Sequence, residues 1–189
     1  MRQYLISIFI VICLISAKDP VHAQTLMADY EFQNSLVSSI PGAPDLLPLG
    51  FSSFASETVD GDSRTVLQFD IGSGLQLSPT TEIINNDEYT IVILFRFDDI
   101  GEYKKVVDYK NRTDDEGLYY DGGYLDFYDV AESPSQVMTA NTYVQMVITR
   151  DSINLVKGYT DGSKDIEFID TDGLGIIDTN NSLFFFLDD

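Results

Sequence analysis

YTIVILFRF, residues 89–97, is apolar at nearly every position and rich in β-branched and aromatic side chains. A run this short, with no helical period, reads as a strand. Both of its alternating sets are apolar, so it is expected to lie centrally in a sheet that a second sheet covers. Working outward, Leu26–Gln33, Thr65–Asp70 and Gly74–Ser78 read as strands before it. Tyr103–Lys110, Gly117–Asp121, Tyr124–Tyr128, Thr142–Arg150, Ile153–Thr160, Lys164–Asp170 and Leu183–Leu187 read as strands after it. Gly122-Gly123 and Asp161-Gly162 join two pairs of these as hairpins, because both positions tolerate positive φ. Only Thr80–Asn85 offers a helical turn, and Ser38–Pro48 is rich in Pro, Gly and Ser. The pattern predicts an all-β chain forming a two-sheet antiparallel β-sandwich or jelly roll, with a closed barrel as the alternative. No repeat or linker divides it, so one domain is expected.

The N-terminus reads differently. Arg2 is followed by the apolar run Tyr4–Ala17, and Val21-His22-Ala23 presents small residues where a signal peptidase cuts. Residues 1–23 therefore read as a secretory leader, too short for a membrane span, with cleavage after Ala23 and the domain occupying 24–189. No lipobox surrounds Cys13. The destination is a periplasm, the cell surface or the medium, and the mature chain carries no membrane span.

Cleavage would remove Cys13 and His22, the only cysteine and the only histidine, and the chain has no Trp. Disulfides and nucleophile systems built on Cys or His are then excluded, as are ordinary zinc, copper or haem sites. Carboxylates, hydroxyls, tyrosines and carbonyls remain, which suit Ca²⁺, carbohydrate or a two-carboxylate glycosidase. Taking Arg2, Lys18 and Asp19 from 11 basic and 31 acidic residues leaves 9 against 30, a net charge of −21. Nucleic acid is excluded as a partner by that charge, and anionic membranes are disfavoured.

Several segments resemble the bacterial LamG-like, concanavalin A-like jelly-roll domains of the lectin and glucanase superfamily. They are LMADYEFQNSLVSS (26–39), RTVLQFDIGSGLQL (64–77), Glu88–Phe97, Val106–Lys110, Asp115–Tyr119, NTYVQMVITRD (141–151), Gly158–Gly162 and Leu183–Asp189. Their order and spacing carry the resemblance across nearly all of 24–189. It implies a concanavalin A-like sandwich acting as a non-catalytic module for an extracellular or cell-surface glycan or a surface protein. Domains of this kind continue into a final strand beside the first one, whereas this sequence ends at Asp189. The expectation is a C-terminally truncated domain with unpaired backbone along Leu26–Gln33.

Three constellations are candidates for chemistry. The resemblance implies rim calcium, for which Asp114, Asp115, Asp188 and Asp189 are the candidate ligands; Asp60 and Asp62 form a further acidic loop. Asp161-x-Ser163-x-Asp165 begins like an EF-hand, but Ile166 stands where Gly is required. Asp165-x-Glu167-x-x-Asp170 resembles the glucanase signature with its acids swapped, and simple alternation explains it without catalysis. The enzyme reading is set aside on that ground, with glucanase and purely adhesive roles kept as alternatives. Of eleven tyrosines, Tyr120, Tyr124 and Tyr128 are the candidate sugar platform. Alternation opposes Tyr119 to Tyr120, so only part of that hairpin faces one surface. The sequons at Asn111 and Asn180 are read as chance in a bacterial protein.

Overall fold

The computed structural model describes residues 2–12 (as backbone, with the side chain of Gln3), 25–84, 87–178 and 180–187. The strands are β1 (Arg2–Ile12), β2 (Thr25–Tyr30), β3 (Leu46–Leu49), β4 (Ser52–Val59) and β5 (Asp62–Asp70). They continue as β6 (Gly74–Leu77), β7 (Tyr89–Phe97), β8 (Tyr103–Asp108), β9 (Gly117–Asp121) and β10 (Tyr124–Tyr128). The last five are β11 (Ala131–Glu132), β12 (Val144–Arg150), β13 (Leu155–Thr160), β14 (Ser163–Ile169) and β15 (Leu183–Phe185). Among the described residues there is no helix; at Thr80 the expected turn forms, Thr80 O accepting from Ile83 N–H at 3.0 Å and Ile84 N–H at 2.8 Å.

All ladders are antiparallel and form two sheets. The first runs β14-β13-β12-β7-β1-β5-β4, with β2 also on β1; the second runs β11-β10-β9-β8-β15-β6-β3. β7 is central, as expected, but its two faces differ. Ile91, Ile93, Phe95 and Phe97 are fully buried between the sheets, while Val92, Leu94 and Arg96 are half-buried on the outer face. The second apolar set is therefore not covered by another sheet. Arg96 lies 5.3 Å from the Tyr143 ring centroid on that side and reaches Glu57 at 3.5 Å.

Phe95 ties the layers together. Its ring centroid is 5.1 Å from Phe97, 5.2 Å from Phe186 and 5.8 Å from Tyr120. Phe186 in turn packs 5.1 Å from Phe69, so the chain after β15 plugs the core beneath β5 and β7. Truncating a phenylalanine buried like Phe95 costs about 3–5 kcal/mol in lost transfer energy and residual cavity.

Besides β1, three strands escaped the sequence reading, β3, β4 and the two-residue β11, and each of these ends a sheet. β3 ends the second sheet and carries Pro48, which an edge tolerates; β4 ends the first with SSFASETV, polar enough to blunt the edge. The β4–β5 hairpin turns at Asp60-Gly61 (φ 51° and 88°), as the β13–β14 hairpin turns at Asp161-Gly162 (φ 48° and 82°). Both are two-residue turns whose paired positive φ matches the strand twist.

The N-terminal segment supplies β1. It pairs with β7 along one side, and on the other with β5 through Arg2–Leu5 and with β2 through Ile8–Ile12. The backbone of β2, expected to lie open, is thus paired by the chain's own N-terminus. A short run of β-branched and aromatic residues serves a leader's apolar core and a sheet strand equally well. The presumed cleavage site at Ala23 lies outside the described residues.

Candidate functional site

The β9–β10 hairpin sets the site. Its turn pairs Asp121 with Tyr124, so Tyr119 falls opposite Asp126 and Gly117 opposite Tyr128. On the other side of β9, β8 places Tyr103 opposite Asp121 and Lys105 opposite Tyr119. Side chains alternate across a sheet, so Tyr103, Lys105, Tyr119, Tyr124, Asp126 and Tyr128 share the outer face of the second sheet. Gly117 makes room there. A Cβ at Gly117 would stand 2.7 Å from Val107 O and 3.3 Å from Lys105 Cε.

Three of these tyrosines converge. The Tyr103 ring centroid lies 6.3 Å from Tyr119 and 6.5 Å from Tyr128, and Tyr119 lies 6.2 Å from Tyr128. The planes cross at 88°, 83° and 67°, so the rings meet edge to face. With Asp115 they line a pocket of about 210 Å³. Tyr119 forms its floor and is buried; Tyr103 (57 % exposed) and Tyr128 (38 % exposed) form its mouth.

A buried ion pair supports the floor. Lys105 Nζ donates to Asp108 Oδ2 at 2.9 Å and to Asp114 O at 3.1 Å, and lies 5.2 Å from the Tyr119 centroid. Asp108 Oδ1 also accepts from Lys110 N at 3.1 Å and Arg112 N at 2.9 Å, which fixes the loop leading to Asp115. Around the site the field is negative. Burial pushes the Asp126 carboxyl up to about 6, helped by the charges of Glu132, Asp121 and Asp129. Burial and the neighbouring Asp114 also raise Glu116.

The residues expected from the sequence distribute unevenly. Tyr128 lines the pocket, and Tyr124 shares its face, half-buried, without lining it. Tyr120 points the opposite way: it is buried in the core, and its hydroxyl is 2.9 Å from Thr160 Oγ1 across the sandwich. It offers no surface to a ligand. Tyr103 and Tyr119 were missed. Tyr119 was legible by counting outward from Gly122-Gly123; Tyr103 was not, since only the packing of β8 on β9 brings it there.

Of the four carboxylates considered for calcium, Asp188 and Asp189 lie outside the described residues. Asp114 Oδ1 accepts Glu116 N–H at 3.1 Å, and Asp115 lines the tyrosine pocket. Among the described residues no three metal-ligating side chains gather, so those residues alone do not furnish the six to eight oxygens that Ca²⁺ takes. The glucanase-like acids do not converge either. Asp170 is buried, accepting from Arg150 Nε at 2.9 Å, Leu174 N at 2.7 Å and Gly175 N at 3.1 Å. Glu167 is exposed and accepts from Lys164 Nζ at 2.8 Å. A second depression, about 540 Å³, is lined by Glu31, Gln33, Ser56, Asp62, Ser63, Arg64 and Thr65 and has no aromatic wall.

No protein-family model and no curated protein matches the chain. Among solved structures it is similar to domain 4 of AbnA, a GH43 extracellular arabinanase from Geobacillus stearothermophilus, solved in complex with arabinotriose. The TM-score is 0.60 at 12 % identity, over 86 % of this chain and 83 % of that one. At this identity the likeness is one of fold: both are β-sandwiches.

Proposed function

We propose that the protein is an exported, non-catalytic glycan-binding module of the LamG-like, concanavalin A-like kind, and that its site is the pocket of Tyr103, Tyr119 and Tyr128. The observation that carries this reading is the convergence of three tyrosines on an outer sheet face, two of them exposed, beside a carboxylate. Large aromatic faces on a polar rim are what a sugar ring needs: apolar contact for its C–H face and partners for its hydroxyls. A pocket of about 210 Å³ is below the ~300–1,000 Å³ that enclose drug-sized ligands. It suits one sugar ring of a longer chain. That the similar AbnA domain was solved with arabinotriose supports the ligand class. Residues 1–23 are the export leader in this reading. That Asp170 is taken up by Arg150 and Glu167 by Lys164 supports binding over glucanase-type hydrolysis.

The test is an oligosaccharide array, arabinotriose included, run on the protein in calcium and in chelator, with Tyr103→Ala and Tyr128→Ala alongside. Saturable binding that both substitutions weaken supports the reading, and its loss in chelator would add a calcium requirement. Binding untouched by either substitution would move the site elsewhere, and silence throughout would reject a glycan ligand.

A further inference from the structure

We propose that the tyrosine pocket selects an amine-bearing sugar, taking the protonated amino group of an unacetylated hexosamine between Tyr103, Tyr119 and Tyr128. This rests on the glycan-binding reading and narrows it to a substrate class.

The shape of the pocket is the first argument. Neutral sugars stack on one flat ring, whereas these rings cross at 67–88° with centroids 6.2–6.5 Å apart. They make a three-walled corner, the arrangement in which several ring faces lie within about 6 Å of one small cation. The same fold already uses one of them so, since the Lys105 ammonium lies 5.2 Å from the Tyr119 centroid. That ammonium is sealed at 0 % exposure against Asp108 and leaves the mouth to the ligand.

The charge around the corner is the second argument. The residue completing the lining is a carboxylate, Asp115, and among the described residues no cationic side chain lines the pocket. Asp126 shares its outer face, and burial first, then the charges of Glu132, Asp121 and Asp129, disfavour its ionisation. The whole chain carries a net charge of −20. An ammonium entering here meets ring quadrupoles and negative potential together, and acetylation would remove its charge while adding bulk to a small pocket.

Calorimetric titration of the full chain tests this with four probes: a glucosamine trimer, the N-acetylglucosamine trimer, arabinotriose, and choline as a cation without sugar. The expected result is that the glucosamine trimer, with its amines protonated, binds about tenfold or more tighter than its acetylated counterpart. Tyr128→Leu should weaken it about five- to tenfold, while Tyr128→Phe, which keeps the ring, restores most of the affinity. Equal affinity for the acetylated or neutral trimer overturns the amine preference and leaves glycan binding intact. Choline binding with no saccharide binding upholds the cation corner and rejects the glycan reading; it also overturns the sugar named here. A glucosamine trimer that binds Tyr128→Leu as tightly as wild type is held by net charge alone and overturns the proposal. Silence with all four probes rejects both readings.

Discussion

The Lys105 ammonium lies 5.2 Å from the Tyr119 ring centroid, on the same face of the second sheet, and ties the buried Asp108 carboxylate to the pocket. Its partner Asp108 is equally buried and collects two backbone N–H groups from the following loop. Lys105→Met strips Asp108 of its counter-charge and Tyr119 of its support. Removing one member of a buried pair costs about 3–5 kcal/mol, because the remaining charge stays desolvated. Urea denaturation should show a loss of that size, and ligand affinity should fall with it; unchanged stability would mean that the pair contributes nothing.

Tyr120 separates a structural tyrosine from a binding one. Tyr120→Phe removes the cross-sheet hydrogen bond to Thr160 and nothing at the surface. The expected cost is about 1 kcal/mol, seen as a fall in Tm of roughly 2–4 °C for a chain of this size. Oligosaccharide affinity should not move. A loss of affinity at unchanged stability would contradict the inward placement.

Asp126 should make stability depend on pH. Its carboxyl is raised to about 6 by burial first and by Glu132, Asp121 and Asp129 next, so the folded state prefers the protonated form. The charged form is a penalty that is full above the folded value. It shrinks as the pH falls through 6 and vanishes once the unfolded carboxyl protonates too, near 3.9. Asp126→Asn should therefore raise Tm at pH 7 and lose that advantage by pH 4. Because the group is only half-buried, the gain is on the order of a few degrees. Melting curves of both proteins at pH 4, 5.5 and 7 decide it; a gain that persists at pH 4 has another origin.

Removing the N-terminal segment should open the first sheet. β1 pairs with eight residues of β7, five of β2 and four of β5, and a chain beginning at Gln24 exposes all three edges. Such edges recruit other strands. The chain 24–189 is expected to melt on the order of 10 °C or more below the full chain, or to self-associate in light scattering, and a peptide of residues 2–12 should reverse either defect. A monomeric 24–189 as stable as the full chain would show that β1 adds nothing to the fold.

How much was legible beforehand follows from which forces act locally. YTIVILFRF, VQMVITR and the Asp161-Gly162 turn read correctly because alternation, β-branching and positive-φ turn residues act within a few positions of sequence. Asp60-Gly61 carried the same turn signal. It went unused because β4 is too polar to look like a strand, and only pairing to β5 makes it one.

By itself, the sequence determined the class: an acidic, all-β chain of short strands in two antiparallel sheets, with no helix among the described residues. The tertiary structure alone decided where side chains meet. It turned Tyr120 into the core and carried Tyr103 from β8 to Tyr119 and Tyr128. It also committed Asp170 to Arg150 and laid Arg2–Ile12 between β5 and β7. The physical reason is range. Strand character is a property of neighbours along the chain, whereas a pocket or an ion pair depends on the register between strands distant in sequence.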